Sequence, residues 1–294
     1  MRARLTLVLL TFSCCVQREQ PESNAYLKAL DDWHAARWQD LRGEEGWLNL
    51  AGLFWLEEGM NAFGNDHSGK VVFPEDFPLR QAGFFMVEGG QVRMVTTPDA
   101  GITVDGVPVQ DVRLFHPDST SVVFARKGWF RWNVIRRENR LGIRLRNLDS
   151  TFIAGFKPPT RFEANPDLKF QARFIPYGPG HTIMVSNVLG QTTPQPSPGR
   201  IHFTVRNTEF AFDALEGGKE LFIVFGDSTT GHETYSGGRF LYTPLPDQDG
   251  FVELDFNKAI NPPCVFTPFA TCPLPPSQNV LHVAIRAGEK NFHH

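Results

Sequence analysis

Four cysteines are all that this 294-residue chain contains, and none of the usual short cysteine or histidine spacings of a zinc site is among them. Charge of one sign is missing too. Lys and Arg number 29 against 32 Asp and Glu, and no Lys/Arg-rich block breaks the balance, which excludes a nucleic-acid surface. No G-x-S-x-G elbow marks a serine hydrolase. Strands do not alternate with helices in the way a parallel sheet requires. What is present suits a folded globule: 41% of residues are hydrophobic and 26 are phenylalanine, enough for a large core. The length allows one large domain or two ordinary ones, and the composition excludes a disordered chain.

The first residues read as an export signal. Arg2 and Arg4 precede the apolar run "LTLVLLTF" (residues 5–12), which is far short of the about 20 residues a membrane span needs. The following "SCC" resembles the lipobox of bacterial lipoproteins, in which the cysteine is acylated. Cys14, preceded by Ser13, is the expected lipidation site, with Cys15 and an ordinary cleaved signal as the alternatives. The expectation is a signal over residues 1–14 and a polar tether over 15–23. The protein would then be exported to the cell envelope and held at the membrane by a lipid anchor, where disulfides persist.

One segment has helical periodicity. Leu27, Leu30, His34, Trp38 and Leu41 recur at three- and four-residue spacing, Ser23 or Asn24 can cap them and Gly43 can end them, which predicts a helix over 24–43. Trp33 lies off that stripe, so the helix is expected to pack on more than one side. Short alternating runs follow, with hairpin signals at "EGGQ" and "VDGVP". They predict an all-β protein: an antiparallel sandwich over 44–155 and a second β-sandwich or barrel domain over 156–294, with "VLHVAI" among its strands. In shape, the turn order of the first unit is similar to that of forkhead-associated-type sandwiches. "QTTPQPSPG" (residues 191–199) reads as an exposed loop.

Polar side chains concentrate near the carboxyl end. "FGDSTTGHETYSGGRFLYTP" leaves a hydrophobic strand and presents Asp227, Ser228, His232, Glu233, Tyr235 and Arg239. A solvated turn is one reading. Recognition of an anion by Arg239 is the other. His232 with Asp227 and Glu233 is a weak metal set, so no metal is expected. Ser228, His232 and Asp255 form a triad only formally, as does Cys264 with His232 or His282. In "LDFN", strand alternation would place Asp255 and Asn257 on one face and Leu254 and Phe256 on the other.

"ETYSGGRFL", "LDFNKAINPPCVFTPFATCPLPPSQN" and "AGEK", with "GWLNLAGLFWLEEGMNAFG" upstream, resemble the signature of a prokaryotic family catalogued as domain of unknown function 1684. The resemblance implies an all-β protein and assigns no activity or cofactor. From the residues themselves, Tyr235, Arg239, Asn257 and Asn261 are the candidate binders of a small polar or anionic ligand. Glu233 and Asp255 are the candidate catalytic carboxylates. A polar network that locks the proline loop onto the sheet, with Arg239 paired to Asp255 or Glu233, is the competing reading. Cys264 and Cys272 are expected to form a disulfide, with free thiols or a thiol nucleophile as alternatives. A non-enzymatic envelope protein whose sandwich binds other proteins is the second reading of function.

Overall fold

The fold is taken from a computed structural model that describes residues 21–292. The expected signal over residues 1–14, its Cys14 and the neighbouring Cys15 lie outside the described residues. Helix α1 runs Pro21–Arg42. It starts three residues before residue 24, because proline suits a first turn whose N–H groups have no helical acceptor. Leu30 and Leu41 are buried. Trp33 and Trp38, half-buried, meet two different apolar clusters, so the helix does pack on two sides.

The first β unit contains β1 (Leu50–Trp55), β2 (Gly59–Gly64), β3 (Val71–Val72), β4 (Gly83–Glu88), β5 (Gln91–Thr96) and β6 (Thr103–Val104). It continues with β7 (Val107–Pro108), β8 (Asp111–Phe115), β9 (Ala125–Lys127), β10 (Phe130–Arg137) and β11 (Arg140–Asn147). Two sheets form, in the orders β3-β2-β4-β5-β8 and β1-β11-β10-β9-β6-β7, antiparallel except for β2 with β3. Positive φ at Gly89 and Gly90, and at Asp105 and Gly106, makes the two expected hairpin turns. Between the sheets Trp132 is fully buried against Phe63, Phe73 and Phe77.

After the short helix α2 (Ser150–Ala154), the second unit has β12 (Lys169–Pro176), β13 (Thr182–Ser186), β14 (Thr192–Pro196) and β15 (Gly199–Val205). It then has β16 (Thr208–Glu216), β17 (Glu220–Phe225), β18 (Arg239–Pro244) and β19 (Phe251–Asp255). Its main sheet is ordered β18-β17-β16-β15-β12-β19, and β13 and β14 form a separate hairpin. The sheet curls until its edges approach. Phe240 and Ile260 exchange backbone hydrogen bonds of 2.9 and 2.8 Å, and the Thr243 hydroxyl donates to the Glu253 carbonyl. Phe203, Phe212, Phe225 and Phe256 cluster inside this near-barrel. Among the described residues the protein is all-β with a single long helix.

Three local expectations are corrected. "QTTPQPSPG" contains β14 and is no open loop; its prolines are tolerated because proline costs little on the free side of an edge strand. "VLHVAI" forms no strand beyond one bridge from Val280 to Gly226, and His282 is exposed. Finally, β19 stops at Asp255, which caps the 3-10 turn Phe256–Lys258. Strand alternation therefore does not continue, and Leu254, Asp255, Phe256 and Asn257 are all buried.

Candidate functional site

The alternation in "FRWNVIRR" and "RLGIRLRN" divides the β10–β11 hairpin into two faces. Phe130, Trp132, Val134, Leu141, Ile143 and Leu145 enter the sandwich core. The register pairs Arg131 with Arg146, Asn133 with Arg144 and Arg137 with Arg140, so the opposite face is rich in arginine. That face is not left to water, because the second unit and α1 cover much of it. β17 and β18 supply the covering surface. They turn Leu221, Ile223, Phe225 and Leu241 inward and Phe222, Val224 and Phe240 outward.

Where these surfaces meet, a cavity of about 300 Å³ remains. Trp47, Phe222, Phe240, Tyr242 and Phe266 give it aromatic walls, and Arg37, Arg137 and Arg144 give it positive charge. No Asp or Glu lines it among the described residues. The three arginines differ in their partners. Arg37 is neutralised by Glu289, at 2.7 Å, and donates to the Asn261 carbonyl at 3.1 Å. Arg137 donates to the Thr271 hydroxyl at 3.0 Å and to the Arg136 carbonyl at 3.1 Å, both uncharged acceptors.

Arg144 is 8% exposed, and its Nε and Nη2 meet no acceptor among the described residues. Its guanidinium rests on the ring of Trp47, 5.2 Å from the centroid. Burial, then the neighbouring charges of Arg137 and Arg146, bring its pKa down to about 10, so it stays charged at neutral pH. Arg146 and Arg131, on the same face, have acceptors that Arg144 lacks: the carbonyls of Glu45 and Gly46, and the carboxylates of Glu44 and Glu45. A buried polar group without a partner costs free energy, more so if charged. An anion in the cavity would remove that cost.

The residues singled out in the sequence are not gathered in one cavity. Arg239 is 1% exposed inside the near-barrel, with Asp227 at 2.6 Å and the carbonyls of Ile285 and Ala287 as further acceptors. Its carboxylate partner is Asp227, not Asp255 or Glu233, and it ties the C-terminal tail to the sheet. Glu233 pairs at the surface with Arg286, which holds its carboxyl below the usual range. Asp255 accepts from Tyr26, from the Asn257 backbone N–H and from the Asn257 amide, each at 3.0 Å. The Asn257 amide also donates to Tyr26 and to the Asn165 carbonyl, and its oxygen accepts from the Asn165 N–H. Tyr235 packs in the cluster around Leu41 and Phe266. Of the candidate ligand-binding and catalytic residues, Asn261 lines the cavity. Its Nδ2 donates to the Lys290 carbonyl, and its Oδ1 has no donor among the described residues.

This network reveals what α1 does. Tyr26 reaches Asp255, His34 donates to the Asn257 carbonyl at 3.1 Å, and Arg37 reaches Glu289. Glu289 also accepts from the Asn261 backbone N–H at 2.6 Å. The helix thus supplies the partners that the polar residues of "LDFNKAIN" need, from more than 220 positions away in sequence. Burial, then Asp255, raises the Tyr26 pKa, and burial, then Arg161, lowers that of His34.

Cys264 and Cys272 form a disulfide with Cα atoms 6.1 Å apart, which closes the proline loop on itself. Cys272 lines the cavity, so the cross-link stiffens one wall of it. The loop also packs on "ETYSGGRF". Gly238 has φ +80°, and a Cβ there would lie 2.4 Å from Pro275 and 2.6 Å from the Phe225 carbonyl, so no side chain fits.

The arginine face was open to discovery in the sequence, since arginine recurs at every second position through "RLRN". What strand alternation does not reveal is which unit covers that face, and so which arginine is left without an acceptor.

The model of the family described as "Protein of unknown function (DUF1684)" matches residues 154–290, which supports the family resemblance over the second unit. None of the curated proteins matches this chain. Among solved structures, the solution NMR structure of an uncharacterized protein of Haloarcula marismortui is 28% identical, covers 48% of this chain and 80% of its own, and has a TM-score of 0.39. A chain from a structural and functional analysis of phosphothreonine-dependent FHA domain interactions is 19% identical. It covers 32% of this chain and 92% of its own, at a TM-score of 0.23. The family match falls on the unit that carries the proline loop and comes with no assigned activity.

Proposed function

We propose that the protein binds a small organic anion in the cavity between its two β units. The observation that carries this reading is Arg144, a buried guanidinium whose Nε and Nη2 have no acceptor among the described residues, beside aromatic walls. A preformed, mostly apolar cavity with a few convergent polar groups is the usual form of a small-molecule site. Here the anionic group would bridge Arg137 and Arg144, and the apolar body would lie among Trp47, Phe222 and Phe240. Binding, not hydrolysis, is the activity we assign. Neither Asp255 nor Glu233 borders the cavity, and both already hold protein partners.

The proposal includes export and anchoring through Cys14. The disulfide supports an oxidising compartment, where such bonds persist. Metabolic labelling with a palmitate analogue, lost in Cys14→Ser, checks the anchor. Thermal melts with a panel of small carboxylates, phosphonates and sulfonates check the binding. Stabilisation by aromatic or branched anions that disappears in Arg144→Met is the expected result. Equal shifts in both proteins, or none with any anion, would overturn the reading.

A further inference from the structure

A second cavity, of about 590 Å³, opens beside the first and shares Arg137, Phe222, Thr271 and Pro273 with it. The two spaces are therefore neighbours, with Arg137 bordering both. Their linings differ in character. The inner space is aromatic and positively charged. The outer one runs between the β10–β11 turn and the β13–β14 hairpin and is lined there by Ser186, Asn187, Thr193 and Gln195, whose hydroxyls and amides bond within the hairpin. Glu138 and Glu216 also line it, both exposed and neither in an ion pair among the described residues, beside Arg136 and the shared Arg137. Among the described residues the inner lining therefore carries positive charge without a carboxylate, and carboxylates enter only in the outer space, where they balance its two arginines.

We infer that the site takes a short peptide, read from its C-terminus. This rests on the anion reading of the inner cavity and extends it to a class of ligand. The terminal carboxylate bridges Arg137 and Arg144, which suits the planar, two-pronged geometry of arginine with carboxylate. An apolar or aromatic C-terminal side chain fills the space among Trp47, Phe222 and Phe240. The preceding residues lie along the outer groove, and a free amino terminus faces Glu138 and Glu216. An anion with a second negative charge at its far end would meet those carboxylates and be disfavoured, which is how the groove would discriminate.

Isothermal titration calorimetry of the full chain tests this with three probes: 3-phenylpropionate, Gly-Gly-Phe and Gly-Gly-Phe amide. The expected result is that Gly-Gly-Phe binds at least about tenfold more tightly than 3-phenylpropionate, the gain of one or two charge-assisted contacts. The amide should lose most of that affinity, and Glu138→Gln with Glu216→Gln should erase the advantage of the peptide. Equal affinity for 3-phenylpropionate and Gly-Gly-Phe overturns the peptide inference while leaving the anion site standing. Tight binding of the amide overturns it as well. Failure of all three probes to bind removes both readings.

Discussion

Arg144 stacks on Trp47, with its guanidinium carbon 5.2 Å from the ring centroid, and its Nε and Nη2 find no acceptor among the described residues. The aromatic face offsets part of the lost hydration, but a buried cation without an anion remains a cost to the ligand-free fold. Arg144→Met keeps the volume and removes the charge. It should stabilise the ligand-free protein by about 1–3 kcal/mol in urea denaturation, since buried charges replaced by apolar groups often have that effect. Destabilisation by a similar amount would mean that the guanidinium contributes to the fold and is not held for a ligand.

The pair of Arg37 and Glu289 makes the opposite prediction. Glu289 is 3% exposed and serves both Arg37 and the Asn261 N–H, so Glu289→Gln removes the charge opposite Arg37 and sets an NH2 donor against one of the two donors. Glu289→Gln should cost about 3 kcal/mol, in the range for a broken buried pair. Equilibrium unfolding measures this, and a change within about 0.5 kcal/mol, typical of surface sites, would contradict the clasp between α1 and the second unit.

The disulfide closes a loop of eight-residue separation. On the chain-entropy view its loss should lower stability by roughly 2.6 kcal/mol, and the prolines around it make that an upper value. Cys264→Ser with Cys272→Ser should also weaken anion binding, because Cys272 is part of the cavity wall. Unchanged binding in the double variant would show that the wall is held without the cross-link.

His34 gives the fold a pH dependence. Burial, then Arg161, lowers its pKa from the ordinary 6.5, with Arg37 adding to this and Glu289 and the Asn257 carbonyl opposing it. As pH falls below about 6.5 the unfolded chain takes up a proton that the folded chain still refuses, so the unfolded state gains. The contribution is therefore complete above pH 6.5 and fades as pH drops through the folded value. Melting temperatures of the wild type should fall more steeply between about pH 7 and pH 5 than those of His34→Gln. Parallel curves would contradict it.

The all-β class, the long helix and both glycine hairpins were legible because each has a local cause: a period of two, a period near 3.6, or a positive φ. The polar residues of "LDFNKAIN" were legible as a set needing partners, but their partners were not. Asp255, Asn257 and Glu289 are completed by Tyr26, His34 and Arg37, and no local pattern encodes a contact across more than 220 residues. Arg239 looked like a binder for the same reason. A cation after a glycine pair reads alike whether it faces a ligand or, as here, Asp227 within the near-barrel. Arg144 was hidden in a regular strand, and its role emerges only when the second unit covers that strand.

A crystal structure of the protein soaked with 4-iodobenzoate decides where an anion binds. An anomalous iodine peak is expected among Trp47, Phe222 and Phe240, with the carboxylate within hydrogen-bond distance of Arg137 and Arg144. A peak elsewhere, with Arg144 instead paired to a protein carboxylate, would contradict it.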